Sequence, residues 1–150
     1  MIERPEEATQ EDRRWEAAQW LDAAREDVRV VHACLGLFEP ALGGAAYHCQ
    51  QAAEKLTKGL LIVAEGKFPR THDIETLGAL ISPYYAELSG LMERMKRLTD
   101  WNGIFRYPGS AAFRNPPDSG QIAEVLVDIA QLMELLLSIT IEQTGEQDGG

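Results

Sequence analysis

The chain is short of several things that would identify a protein quickly. It has only two cysteines in 150 residues, Cys34 and Cys49, and they form no C-x-x-C pair. Both fall in apolar helical patterns, so two free thiols in a reducing compartment are expected rather than a bridge. No apolar run exceeds Leu60 to Ala64, whereas a membrane-spanning helix needs about 20 mostly apolar residues. Met1 to Glu7 holds no apolar segment of the kind a signal peptide requires, and the expected location is the cytoplasm. Base is also scarce. Fourteen Lys and Arg against 24 Asp and Glu leave a net charge of −10, which excludes a protein that coats nucleic acid indiscriminately.

Signature motifs are equally sparse. None of the three histidines belongs to an H-E-x-x-H or E-x-x-H motif, because Arg29, Ala45 and Pro69 stand three residues before them. That removes the usual di-metal helical bundle. Neither G-x-x-x-x-G-K-[ST], G-x-G-x-x-G nor G-x-S-x-G occurs, so phosphate-cradling loops and the hydrolase nucleophile elbow are absent. No alternating stretch reads as a strand. No metal ligand, catalytic residue or cofactor is assigned.

What is present is helical periodicity. Leu21, Ala24, Val28, Val31, Leu35 and Phe38 step 3, 4, 3, 4, 3, with Trp15, Ala17 and Trp20 extending the stripe upstream. Ala46, Cys49, Ala53, Leu56, Leu60 and Val63 repeat the same steps. These are apolar faces of two helices, the first closed by Pro40 and Gly43-Gly44, the second by Gly66. A loop over 67–73 leads to a short helix capped by Thr71 or Asp73. A helix from Tyr84 to Asn102 places Leu88, Leu91, Met92, Met95 and Leu98 inward. Gly103 to Pro117 reads as a long irregular stretch, with Trp101 and Phe105 in the core. Asp118 or Ser119 caps a last helix, Asp118-x-x-Gln121 resembling a capping box, with Ile122, Val125, Ile129, Leu132, Leu136 and Ile139 inward. Residues 1–10 read as a frayed lead-in and the tail from Gly145 as loose. The expected fold is all-α: one domain over 1–150, an up-and-down antiparallel four-helix bundle with one additional short helix, ordered over about 15–142.

Charge is distributed unevenly along this plan. Residues 1–27 hold nine acids and four bases, and 121–150 hold six acids and no base. Residues 55–114 hold nine bases and six acids. His48, Gln51, Lys55 and Lys58 step 3, 4, 3 and so share one face of the second helix. Lysine and histidine donate to phosphate oxygens, and Arg70, His72, Arg106 and Tyr107 lie in loops that can join them. Arg94, Lys96 and Arg97 would complete a basic groove if the end of that helix closes on the stripe. The alternative is a plain solvated face, with Glu54 and Lys58 as a routine i,i+4 pair.

At these residues the chain resembles a known family. His48-Cys49-Gln50-Gln51-Ala52-Ala53-Glu54-Lys55-Leu56-Thr57-Lys58 is similar to the second-helix signature of HEPN domains. Pro69-Arg70-Thr71-His72-Asp73-Ile74, followed by Leu77, resembles their next motif, and Arg106-Tyr107-Pro108-Gly109 their arginine-tyrosine-proline turn. Ala24-x-x-Asp27 to Val31 also fits, and the resemblance covers about 15–142. It implies a small helical bundle that pairs as a homodimer, often with a minimal nucleotidyltransferase as partner in a toxin–antitoxin system. Members that cut RNA carry an arginine followed four to six residues later by a histidine. Here neither the window after Arg106 nor that after Arg114 contains one, and His72 is the last histidine. The resemblance therefore implies a non-catalytic module that binds nucleotide or RNA, or docks a partner. Lys55, Lys58 and Arg106 would be the anion contacts, with His48, Gln51, Arg70, His72 and Tyr107 around them. The alternatives are a divergent ribonuclease using Arg106 with His72 or His48, and a purely structural dimerisation module.

Overall fold

The computed structural model describes residues 8–101 and 116–147, and every regular element among them is helical. Helix α1 spans Gln10–Leu35 and α2 spans Leu42–Glu65. The short α3 is Ile74–Ile81, followed by a 3-10 turn at Ala86–Leu88, α4 at Ser89–Met95 and α5 at Leu98–Trp101. Helix α6 is Ser119–Gln147.

Local chemistry sets the ends. Thr9 Oγ1 accepts from the Asp12 N–H at 3.1 Å, and Asp12 Oδ2 accepts from the Thr9 N–H at 3.0 Å. This reciprocal box starts α1 at Gln10, upstream of the expected boundary near 15, so the expected fraying does not extend to residues 8–10. Asp73 caps α3 through the Glu75 N–H, and Asp118 and Gln121 form the expected box at α6. Gly66 closes α2 at φ +76°, its N–H bonded to the Ile62 carbonyl at 2.9 Å, the left-handed cap that glycine adopts without a Cβ penalty. At the other end α6 continues to Gln147, past the point where a loose tail was expected.

Most of the apolar stripes are buried as their spacing requires. Ala46, Cys49, Ala53, Leu56 and Leu60 on α2 are completely covered, as are Ile122, Val125, Leu132 and Leu136 on α6. In the first stripe Trp20, Val28 and Leu35 are half-buried and two positions are exposed. Trp15 is 69% exposed and Phe38 is fully so. Trp15 lies two residues before Ala17, well round the helix from the buried stripe. Phe38 falls beyond the end of α1, because Pro40 disfavours helix in the residue before it and cannot continue the ladder.

α1 and α2 form an antiparallel hairpin, Asp27 facing His48 and Lys55 while Trp20 and Ala17 face Gly59. The third helix of the hairpin's neighbourhood is α6: a Cβ at residue 59 would stand 2.7 Å from Leu136 Cδ2 and 3.3 Å from Trp20 Cβ. The absence of that atom lets three helices meet there.

The expected helix from Tyr84 to Asn102 is broken into three pieces. Bonds from Leu88 N–H to Tyr85, from Lys96 N–H to Glu93 and from Thr99 N–H to Lys96 are i→i−3. The inward residues explain the breaks. Met92, Met95, Leu98 and Trp101 are all buried and all three apart. In a continuous α-helix a step of three falls 60° short of a full turn each time, so four such residues would wind off the core. Tight i→i−3 turns at each break restore the phase. The all-helical class stands, with the fourth long helix of the expected bundle replaced by this segmented run. Gly103 to Asn115, with Phe105, Arg106, Tyr107 and Arg114, lies outside the described residues.

Candidate functional site

The polar face of α2 is organised by two buried carboxylates. Asp27 projects from α1 into the seam with α2 and is only 6% exposed. Its Oδ1 meets His48 Nδ1 at 2.8 Å and its Oδ2 accepts from Lys55 Nζ at 2.6 Å. His48 and Lys55 are seven residues apart, two turns of one face, which is why a single carboxylate serves both. Glu54, 4% exposed, is the second hub. Its Oε1 meets His72 Nδ1 at 2.7 Å, and its Oε2 lies 3.9 Å from Lys58 Nζ.

The loop after α2 brings His72 there by running back along the helix. Phe68 stacks edge-on against Trp20, with ring centroids 5.3 Å apart. The Lys58 ammonium stands 5.1 Å from the Phe68 ring centroid and 6.0 Å from that of Trp20. Four residues on, the His72 carbonyl accepts from Gln50 Nε2 at 3.4 Å, and Gln51 Nε2 donates to Gln50 Oε1 at 2.6 Å.

Three consequences follow for chemistry. A buried carboxylate without a partner is strongly destabilising, and here each has a lysine and an imidazole. Both lysines of the expected stripe are therefore neutralised, and Lys58 is itself buried at 7% exposure. Each imidazole turns Nδ1 to its carboxylate, which fixes the tautomer with Nε2 as the outward nitrogen. The His72 side chain is 61% exposed, that of His48 29%. Arg70 is exposed on the same loop and has no carboxylate partner among the described residues.

The structure thus brings His48, Gln51, Lys55, Lys58 and His72 onto one seam, with Arg70 beside them in the chain. Arg106 and Tyr107 fall outside the described residues. The basic end of the segmented run goes elsewhere. Arg94 clamps Asp128 on α6 with two hydrogen bonds of 2.9 and 3.2 Å. Arg97 meets Glu124 at 3.4 Å, and Lys96 meets Glu93 and Glu75. No basic groove forms between that end and α2 among the described residues. Sequence reasoning missed the role of Asp27 and Glu54 as hubs. The available signal was an acid on an inward face: Asp27 sits three residues after buried Ala24 and four before buried Val31.

Cys49 is no nucleophile, because burial pushes its thiol up to about 12. No group of three or more His, Cys, Asp or Glu among the described residues is arranged to hold a metal, and no described helix is long and apolar enough to cross a membrane. A groove of about 270 Å³ between α3 and α4, floored by Ile74, Ile81, Leu88 and Met92, has Lys96 at its lining and none of the α2 or loop candidates.

The chain is thus a helical hairpin with a carboxylate-ordered imidazole seam and a loop folded back along its second helix. The chain matches the family model of the HEPN domain over residues 10–139, and it belongs to that family. No curated protein and no solved structure matches it.

Proposed function

We propose that this HEPN-family domain is a non-catalytic module, working in the cytoplasm, that takes a phosphate of a nucleotide or an RNA at the outer edge of the α2 seam. The observation that carries the reading is the state of His72. Its Nδ1 is held by buried Glu54, its body is exposed, and Arg70 two residues earlier has no carboxylate partner among the described residues. Arg70 is then the donor that meets the ligand, with His72 beside it, while His48, Gln51 and Lys55 line the inner side. Lys58, Glu54 and Asp27 hold those groups in place. The same reading includes a homodimer, and a minimal nucleotidyltransferase as protein partner in a toxin–antitoxin-like pair; copurification with such a partner tests that part.

Titration with ATP and with a short RNA at low and moderate salt tests the site. Arg70→Ala/His72→Ala should weaken binding several-fold and flatten its salt dependence. Unchanged affinity in that folded double variant removes the site. Lys55→Ala should weaken binding less, because its charge is already shared with Asp27.

One observation favours a second reading. A carboxylate-held imidazole with an outward Nε2 is also the form of a general base. A divergent ribonuclease would use His72 or His48 in that role with Arg106. Harmless expression in a bacterial host, together with intact RNA after incubation with the protein, would sink it. Cleavage lost in His72→Gln would establish it.

A further inference from the structure

Every lysine and arginine among the described residues has a carboxylate within ion-pair distance except Arg13, Arg14, Lys67 and Arg70. Three of these four share one stretch of the fold: Arg13 packs at Gly66, and Lys67 and Arg70 lie on the loop that follows it. Arg13 lies two turns before Trp20 on α1, on the side that faces α2 and the loop. A Cβ on Gly66 would stand 2.9 Å from Arg13 Nε and 3.0 Å from its Cζ and Nη2. The guanidinium is therefore packed against the left-handed cap of α2, and Lys67 is the next residue. Arg14 is displaced by about 100° round α1 and does not belong to this edge.

Three of the described acids near this edge are already engaged. Asp12 is held by the Thr9 cap, Glu65 accepts from the Tyr84 hydroxyl at 3.0 Å, and Glu54 holds His72 and Lys58. Arg13 Nε is buried with no hydrogen-bond partner among the described residues. The carbonyl end of α2 attracts a cation electrostatically, yet Arg13 Nε donates to none of those carbonyls. From Gly66 the loop passes Phe68 on Trp20 and reaches His72 on Glu54. Six residues of chain span at most about 20 Å. Arg13, Lys67, Arg70 and His72 thus mark one cationic edge on a protein of net charge −10.

We propose that Arg13 and Lys67 form an anion subsite that takes a phosphate group, at the opposite end of the 66–73 loop from His72. A planar guanidinium beside a flexible ammonium suits tetrahedral oxyanions. The proposal rests on the reading above only for the class of ligand. The phosphate can come from a nucleic-acid strand laid along the loop or from a free nucleotide.

The test is fluorescence anisotropy on the full chain. The probes are labelled single-stranded RNA of about twelve nucleotides, within the range one small domain engages, and ATP and inorganic phosphate as competitors. For a strand, Arg13→Gln/Lys67→Gln should weaken RNA binding and lower the slope of log affinity against log salt by about 1.4, two contacts at about 0.7 each. The affinity for ATP should stay unchanged. If the double variant instead weakens ATP or phosphate competition, the subsite stands and its ligand is the free anion. Unchanged binding of all three probes overturns it, as does a fall in melting temperature for Arg13→Gln with no change in binding, which would mark Arg13 as serving only the end of α2. Lys67→Gln, at an exposed position, keeps the test open if the Arg13 variant does not fold. Loss of RNA binding in Arg70→Ala/His72→Ala but not in Arg13→Gln/Lys67→Gln would refute this subsite and leave the first reading intact. The reverse pattern would do the opposite, and no binding of any probe overturns both.

Discussion

Two seams of this domain bury carboxylates, and they treat them differently. Between α4 and α6, Asp128 faces Arg94, whose fork satisfies both oxygens at 2.9 and 3.2 Å. Between α1, α2 and the returning loop, Asp27 and Glu54 each face one lysine and one histidine. An arginine fork is always charged and geometrically fixed, so the first seam is a clamp. An imidazole held through Nδ1 keeps a second ring nitrogen, so the second seam holds groups that can act on something else. The same acid, similarly buried, is a fastening in one place and a positioning device in the other.

The comparison can be broken most forcefully at Glu54. Glu54→Leu strips the carboxylate from a lysine that is itself buried, and removing one partner of a buried pair costs about 3 kcal/mol or more. Glu54→Leu/Lys58→Met replaces both charges by apolar groups and should recover more than half of that loss. Urea unfolding of the two variants measures the difference. If the single substitution costs less than about 1 kcal/mol, the hub is a surface pair and the distinction between the seams is lost.

The next effect tests the loop that completes the second seam. Gly66→Ala forces a side chain into the left-handed region, costing about 1–2 kcal/mol, and directs its Cβ at the Arg13 guanidinium. A melting curve should show the loss, and the loop's cationic edge should lose RNA affinity with it. Asp73 comes third. Bonds from the Thr76 hydroxyl and the Glu75 N–H hold its carboxyl below the ordinary 3.8. A lowered folded-state value means stability that is present above the ordinary carboxylate range and lost as the pH falls through the lowered one. Asp73→Ala should cost about 1 kcal/mol at neutral pH, the usual value of a cap. The cost should shrink in acid, below about pH 4. An equal cost at both pH values would show that the cap acts without its charge.

Much of this was readable in the sequence, and the division is physical. Caps are local, so spacing marked the Asp118 and Gln121 box and the buried stripes of α2 and α6, and narrowed the α3 cap to Thr71 or Asp73. Register across a seam is not local. Nothing in the order of residues says that Asp27 stands level with both His48 and Lys55, so a stripe that read as free base is neutralised in the fold. The segmented run is an intermediate case. A strict three-residue step from Met92 to Trp101 was visible and is incompatible with a straight α-helix, but it is easily read as loose helical periodicity. At the candidate site, the α2 stripe and His72 were found from their motifs. Arg13 and Lys67 carry no motif, and only the fold brings them together.

The smallest effect sharpens the comparison from the clamp side. Arg94 lies on the surface, 56% exposed, and beside Asp128 its guanidinium is held even further above its ordinary value. It therefore stays charged at every pH at which the domain folds. Arg94→Lys keeps the charge and gives up the fork, leaving one nitrogen where two faced the two carboxylate oxygens. The melting temperature should drop by less than for any substitution above, because water reaches the exposed side of the pair and screens it. Binding of RNA or nucleotide should not change at all, since the clamp faces α6 and lies on neither the α2 seam nor the loop. A change in binding without a change in melting temperature would mean that the α4–α6 seam also meets the ligand. The contrast between a fastening carboxylate and a positioning one would then fail at its simpler end.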